Sequence, residues 1–129
     1  MIDGIDYSED EGVVRVTLSG VFAVDDFRRA MTEVVHLRET VGPVHAIWDV
    51  SSLDFSRIDI DVLRRTSDAR SRFAPRRNGE RVAVVVRASV EKAIVELFLD
   101  LSEEAETSQR AFLNRQDAEA WCLTGTEPA

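Results

Sequence analysis

The chain has 129 residues, of which 44% are hydrophobic and 31% are charged, and its formal net charge is −8. These values are typical of one globular domain over residues 1–129, and no apolar run approaches the roughly 20 residues that cross a bilayer. The negative charge argues against binding to nucleic acid. The single cysteine, Cys122, excludes an internal disulfide and favours a reducing, cytoplasmic location.

The first half of the chain predicts a β-hairpin, a helix and a buried strand. Residues 2–7 can form a short strand, and residues 13–20 alternate apolar and polar side chains with the period of a half-buried strand. Residues 24–41 place apolar side chains at helical spacing, with two acidic residues in the first turn and a Gly-Pro pair after the end. Residues 44–50 are almost continuously apolar, as in a strand that is covered on both faces.

The second half of the chain predicts a helix after the apolar strand, and then two further pairs of strand and helix. That helix covers residues 59–73 and ends before a proline. Residues 81–87 are the clearest buried strand in the chain, and residues 89–104 predict the third helix. Residues 106–113 predict a last strand, and residues 115–123 predict a closing helix.

The predicted order of elements is therefore β-β-α-β-α-β-α-β-α. Strands that alternate with helices of this length are typical of parallel strands joined by right-handed crossovers. The initial hairpin adds an antiparallel strand at the edge. The predicted fold class is α/β: a mostly parallel sheet of about five strands, with an antiparallel edge hairpin strand and four helices.

This order, together with three short segments, resembles the SpoIIAA-like superfamily. The segments are WDVSSLDF at 48–55, ERVAVVV at 80–86 and DAEAWCL at 117–123. The superfamily includes the STAS domains of anti-sigma-factor antagonists and the STAS/SEC14-type proteins, and it shares a fold with CRAL-TRIO lipid carriers. The resemblance covers most of the chain and implies a STAS-type domain with a regulatory or binding role.

The regulatory serine of the antagonists has no clear counterpart here. In those proteins the strand that ends in an acid is followed by a regulatory serine and a glycine at a helix start. In this chain Ile58 stands at about that position, no glycine follows it, and the nearest hydroxyl is Ser56. The resemblance is therefore closer to the STAS/SEC14-type proteins, and we do not expect the antagonist phosphoswitch.

Polar side chains follow the ends of the predicted parallel strands. The carboxyl ends of such strands and the amino ends of the next helices share one edge of a sheet, where ligands bind. We therefore expect these side chains to lie along one edge and to be candidates for binding a ligand or a protein partner. The candidates are Asp49, Ser51, Ser52, Asp54, Ser56, Arg87, Ser89 and Asn114.

Helix capping and turn chemistry explain the same residues more simply. Ser56 and Asp59 fit the capping pattern of the second helix, whereas Ser89 and Asn114 stand at the cap positions of the third and fourth. Asp49 can accept hydrogen bonds from loop amides. The capping interpretation is favoured for each residue alone, and a shared binding edge remains the alternative.

The third predicted helix has a wider apolar arc than one contact with a sheet requires. Its predicted core stripe is Val90, Ile94, Leu97, Phe98 and Leu101, and beside it lie Val95 and Leu99. A neighbouring helix, a second copy in a homodimer, or an apolar ligand beneath the helix could cover the additional surface. We therefore predict that Val95, Phe98 and Leu99 belong to an interaction surface.

Arginine is concentrated in one segment of the chain. Residues 57–87 contain nine arginines and four acidic residues, a net charge of +5, whereas the rest of the chain carries −13. A solvated surface is the simpler explanation, but arginine also pairs bidentately with carboxylates and phosphates. Arg64 and Arg65 are the candidates for contact with an acidic partner.

The sequence predicts no catalytic residue, no metal site and no cofactor. His36, His45 and Cys122 lack the spacing of a metal site, and the chain has neither a nucleophile elbow nor a glycine-rich phosphate loop. The leading hypothesis is a non-enzymatic regulatory or protein-interaction module of the STAS-like type. The alternative is a carrier with an apolar pocket for a small ligand or lipid under the third helix. An enzyme acting at Asp49 and its serine neighbours is the weakest hypothesis.

Overall fold

A computed structural model describes residues 1–73, 80–101 and 108–125. Every predicted element is present, in the predicted order. The elements are β1 (Ile2–Ser8), β2 (Val13–Val21), α1 (Val24–Val41), β3 (His45–Asp54), α2 (Ile60–Phe73), β4 (Arg81–Val85), α3 (Ser89–Leu101), β5 (Ser108–Phe112) and α4 (Arg115–Thr124). The predicted ends of α3 beyond Leu101 and of β5 before Ser108 lie outside the described residues.

The five strands form one sheet in the order β1-β2-β3-β4-β5. The β1–β2 pair is antiparallel, whereas β2, β3, β4 and β5 run parallel to one another. The ends of these four parallel strands therefore lie along one edge, which we call the carboxyl edge. This arrangement confirms the α/β class and the expectation that the segments after β3 and β4 leave the sheet on the same side.

β3 (His45–Asp54) extends four residues beyond its predicted end at Val50. After an irregularity in the ladder, Ser52, Leu53 and Asp54 continue to pair with the end of β2. Leu53 is only 3% exposed, so its burial extends the strand beyond the polar residues that precede it. Ser51, Ser52 and Asp54 are therefore strand residues and not loop residues.

Side chains alternate between the two faces of the sheet, as the period of a strand requires. One face, with Val16 and Trp48, packs on the layer of α1, α2 and α3, and we call it the three-helix face. The other face, with Val13 and Ile47, packs against α4, and we call it the α4 face. Both faces are apolar, which explains why β3 and β4 appear as continuous apolar runs in the sequence.

A buried ion pair joins the end of α1 to the start of β4. Glu80 is 2% exposed and accepts hydrogen bonds from Arg38 Nε at 3.1 Å and Arg38 Nη2 at 2.8 Å. It also accepts one from the backbone N–H of Val44 at 3.2 Å. The carboxylate therefore connects α1, the entry to β3 and the entry to β4, at the edge opposite the carboxyl edge.

Candidate functional site

The predicted polar residues do lie along the carboxyl edge, but they form separate local groups. Asp49 Oδ1 accepts the backbone N–H of Ser51 at 3.0 Å and its hydroxyl at 2.6 Å. Asp49 Oδ2 lies 3.4 Å from Nη1 of Arg115, in the first turn of α4. Asp49 and Ser51 therefore connect β3 to the start of α4.

A second group forms a tight turn at the end of β3. Asp54 Oδ1 accepts the backbone N–H of Ser56 at 2.8 Å. This hydrogen bond, and that of the Ser56 side chain, hold the pKa of Asp54 below its ordinary value, and the nearby charges of Arg57 and Arg87 act in the same direction. An ionised carboxylate that organises its own turn is ordinary Asx chemistry.

The helix caps only partly match the prediction. Asn114 caps α4, because its side-chain oxygen accepts the N–H of Asp117 at 2.8 Å. α2 is capped by Asp59, which accepts the N–H of Val62 at 2.9 Å, and not by Ser56, which lies too far before the helix start. Ser89 is the first residue of α3 and so stands inside the first turn, not at the cap.

Arg87 also has a local partner. Its Nη2 lies 3.1 Å from Oε1 of Glu91, one turn along α3. Ser52 is exposed on the last part of β3. The predicted polar residues therefore do share the carboxyl edge, as the sequence indicates. Their role in binding stays a prediction.

A cavity of about 100 Å³ lies between the three-helix face and the helices that cover it. It is bounded by strands β2, β3 and β4, by helices α1, α2 and α3, and by the connections that follow β2 and β3. Its lining is almost entirely apolar. The apolar residues are Leu18, Phe22, Phe27, Met31, Trp48, Val50, Leu53, Phe55, Ile58, Leu63, Val82, Val84, Ile94, Val95, Phe98 and Leu99.

Aromatic rings shape this cavity. Phe27 of α1 lies 5.6 Å from Trp48 of β3, centroid to centroid, with the planes tilted by 39°. Phe27 also meets Phe98 of α3 edge to face, at 6.0 Å and 88°. Rigid rings in this geometry are favourable pairs, and they bring α1, α3 and the sheet together around the cavity.

Two polar residues from α2 complete the described lining. Thr66 is 5% exposed and donates its hydroxyl hydrogen to the carbonyl of Val62 at 2.7 Å. Arg70 is 8% exposed, and its guanidinium carbon lies 5.9 Å from the centroid of Phe98. The described lining therefore combines one cation with aromatic and aliphatic side chains, and it includes no carboxylate.

α3 is rotated relative to the sequence prediction. Val95, Phe98 and Leu99 face inward and line the cavity, so they are not an outward interaction surface. Val90 and Leu97, predicted to be core residues, are 70% and 45% exposed. Ile94 and Phe98 do face inward as predicted, so the inward face of α3 is centred nearer to Val95, which is 8% exposed, than the sequence predicts.

The arginines predicted to meet a partner are exposed on α2. Arg65 pairs with Asp61 at 3.2 Å, an i,i+4 contact on the surface. Arg64 borders a small surface pocket together with Ile60, Ser67 and Asp68. These positions are accessible, and their role in binding remains a prediction.

Arg70 was not predicted from the sequence to be a site residue. A signal was present, because Leu63, Thr66 and Arg70 follow one another at spacings of three and four, which places them on one face of a helix. The partly buried Phe22 and Phe55 were also not predicted to line a site, because each directly follows a strand and has the sequence context of a loop residue.

Neither Cys122 nor a histidine is among the described residues that line the cavity. Cys122 is fully buried on the α4 face, and burial raises the pKa of its thiol to about 11. His45 Nδ1 accepts the backbone N–H of Arg81 at 2.9 Å. Over the ranges that the structure describes, no three His, Cys, Asp or Glu side chains converge as metal ligands would, and no helix is both long and apolar enough to span a bilayer.

Comparison with known proteins identifies the fold of the chain. No protein-family model and no curated protein matches the chain. The chain is similar to the crystal structure of an uncharacterised protein of the DUF3478 family from Shewanella loihica PV-4, which is described as having a SpoIIAA-like fold. The TM-score is 0.62 at 17% sequence identity, over 95% of this chain and 92% of the other. The architecture expected from the resemblance is thus confirmed: this chain has the SpoIIAA-like fold.

Proposed function

We propose that this chain is a non-enzymatic binding module that takes a small apolar ligand into the cavity under α3. The apolar cavity of about 100 Å³ is the observation that carries the proposal. Cavities larger than one water molecule are few in protein interiors, because unfilled space forfeits dispersion contacts. An apolar ligand in this cavity would restore the dispersion contacts that the unfilled space forfeits.

The size of the cavity limits the class of ligand. An engineered apolar cavity of about 150 Å³ binds benzene or xenon. The cavity here is somewhat smaller, which suits a single ring or a short branched chain better than a lipid acyl chain. The half-buried Phe22, Phe55 and Ile58 place one end of the cavity near solvent at the carboxyl edge.

Xenon and benzene are the direct probes of this proposal. We expect both to shift the amide resonances of cavity-lining residues at millimolar concentration, and to raise the melting temperature as ligand binding to the folded state requires. Absence of both responses in the wild-type protein would contradict the proposal.

Two substitutions on α3 provide a matched control. Leu99→Trp places a large ring at the cavity, whereas Leu97→Trp makes the same change at an exposed position two residues away. We expect the response to benzene to be lost in Leu99→Trp and kept in Leu97→Trp. Equal responses in both variants would place the binding site elsewhere.

A second candidate function is a regulatory contact with another protein through the outer surfaces of α2 and α3. The observation that favours it is that both helices line the cavity on their inner side, while Arg64, Arg65 and Leu97 are exposed on their outer side. A ligand in the cavity would thus contact the same two helices that meet the partner. This arrangement is suited to a STAS-like module that reports ligand occupancy.

Affinity capture with paired variants tests this second candidate. The charge reversal Arg64→Glu with Arg65→Glu should abolish capture of a partner that the wild type binds. The same reversal at Arg28 and Arg29, which are exposed on α1, should leave capture unchanged. A wild-type protein that captures no specific partner, or equal loss in both double variants, would count against the α2 surface.

Homodimer formation through the exposed apolar residues of α3 remains a prediction. A cytoplasmic location also remains a prediction. Val90 and Leu97 are the residues that a second copy would cover. If they form a dimer contact, sedimentation of the wild type should show a dimer, and Leu97→Asp should shift it to the monomer. A wild-type monomer at high concentration would exclude this arrangement.

A further inference from the structure

We infer that the ligand of the cavity carries one planar aromatic ring, and that the cavity selects such a ring over a saturated ring of the same volume. This inference rests on the proposed binding function and adds the chemical class of the ligand. The walls of the cavity carry the selection, because they present aromatic side chains to the ligand from several directions.

Five of the described residues that line the cavity are aromatic, and they come from different parts of the fold. Trp48 belongs to the sheet, Phe27 to α1 and Phe98 to α3. Phe22 and Phe55 stand in the connections that follow β2 and β3, near the carboxyl edge. A ligand in the cavity would therefore lie among rings from the sheet, from two helices and from the end near solvent.

The wall rings already adopt the geometry in which aromatic rings attract one another. Phe27 is tilted by 39° against Trp48 and meets Phe98 edge to face. An aromatic ring has a negative face and a positive edge, which favours such tilted and edge-to-face contacts. An aromatic ligand can make the same contacts with the walls, whereas a saturated ring has no such charge distribution and gains only dispersion and burial.

A methionine beside these rings favours the same class of ligand. Met31 lies one turn after Phe27 on α1, is 5% exposed and lines the cavity. A thioether sulfur makes favourable contacts with aromatic rings, often at the ring edge, and the unbranched side chain adapts to irregular gaps. Met31 therefore adds a wall that attracts an aromatic ring and can adjust to its position.

Benzene and cyclopentane test the inference on the wild-type protein. Cyclopentane is a saturated ring of about the same volume as benzene, so the size of the cavity does not distinguish the two. The dissociation constants can be measured from amide chemical shifts, and each is divided by the partition of the compound between water and hexadecane to remove its own hydrophobicity. On this scale we expect benzene to bind roughly 3- to 10-fold more tightly than cyclopentane, as the additional attraction between aromatic rings allows.

Two leucine variants locate the preference in the aromatic walls. Phe27→Leu removes the ring that contacts both Trp48 and Phe98, whereas Ile94→Leu changes an aliphatic wall of the same cavity. We expect the preference for benzene to fall roughly threefold in Phe27→Leu and to stay unchanged in Ile94→Leu. Because the two ligands have about the same volume, additional space in Phe27→Leu affects both alike.

The outcomes separate this inference from the proposed function. If cyclopentane binds the wild type as tightly as benzene does on the same scale, or if Phe27→Leu keeps the full preference for benzene, the inference is wrong and the binding function stands. If neither compound binds, both are wrong. The wild-type comparison decides the question even if Phe27→Leu does not fold.

Discussion

The two faces of the sheet use the same strands but are covered in different ways. On the α4 face a single helix packs closely, and Val13, Ala83, Ala118 and Cys122 are fully buried there. On the three-helix face, three helices and large aromatic residues surround a cavity of about 100 Å³. The α4 face also contains an aromatic pair, Phe112 and Trp121, with ring centroids 5.5 Å apart. The difference therefore lies in the number of helices: one helix can follow the sheet closely, whereas three helices leave space where they meet. The α4 face stabilises the fold by close packing, and the proposed function assigns ligand binding to the other face.

The largest expected effect concerns the ion pair that anchors the three-helix layer. Glu80→Ala should leave Arg38 buried without its partner and remove an acceptor for Val44 N–H. We expect this variant to lose about 3–5 kcal/mol in the free energy of unfolding, measured by urea denaturation. Arg115→Ala breaks a half-exposed pair with Asp49 and should cost less than about 1 kcal/mol. Similar losses in both variants would show that burial does not distinguish these pairs.

The next effect tests the difference in packing between the two faces directly. Val85 and Val82 lie on opposite faces of β4 and are 4% and 7% exposed. Val85→Ile adds a methylene group on the closely packed α4 face and should cost about 1–3 kcal/mol. Val82→Ile adds the same group at the cavity, so its cost should be below about 0.5 kcal/mol or its effect should be stabilising.

Urea denaturation of the two variants, with the wild type as reference, measures this difference. Equal destabilisation would mean that the cavity cannot accept one additional methylene group. That result would also weaken the proposal that it accepts a ligand.

A smaller effect separates the two predicted caps. Asn114→Ala removes the acceptor of the Asp117 N–H and should destabilise α4 by about 1 kcal/mol. Ser89→Ala changes an exposed residue inside the first turn of α3, so its effect should stay within about 0.5 kcal/mol. Thermal unfolding of both variants checks the difference, and a larger loss for Ser89→Ala would reverse the assignment of caps.

The smallest expected effect is a dependence of stability on pH through His45. Burial lowers the pKa of His45 below its ordinary value of 6.5, and the charge of Arg81 acts in the same direction, whereas Glu80 opposes it. The unfolded chain therefore binds the proton first as the pH falls, so this contribution to stability is present above pH 6.5 and is lost below it. Protonation would also remove the acceptor that Nδ1 provides to the Arg81 N–H.

Unfolding measured between about pH 7 and pH 5 checks this dependence. The wild type should lose more stability over that range than His45→Gln, which does not titrate. Equal slopes would show that another group determines the response.

The sequence predicted the order and type of all nine elements, and it located the carboxyl edge. Alternation in residues 13–20, the apolar run at 44–50 and the helical spacing of 24–41 are local patterns, and each reflects how one element buries its own side chains. The sequence did not predict the extension of β3 to Asp54, because that depends on pairing with the end of β2. It also did not predict that Asp59, and not Ser56, caps α2.

The sequence by itself determined which segments fold into strands and helices, and which faces of them are apolar, because those properties depend on neighbours along the chain. Only the tertiary structure decided how α3 is rotated, that Val95, Phe98 and Leu99 line a cavity, and that Arg70 is buried beside it. These features arise where three helices and a sheet meet. A periodic pattern within one segment does not determine how three helices and a sheet pack against one another.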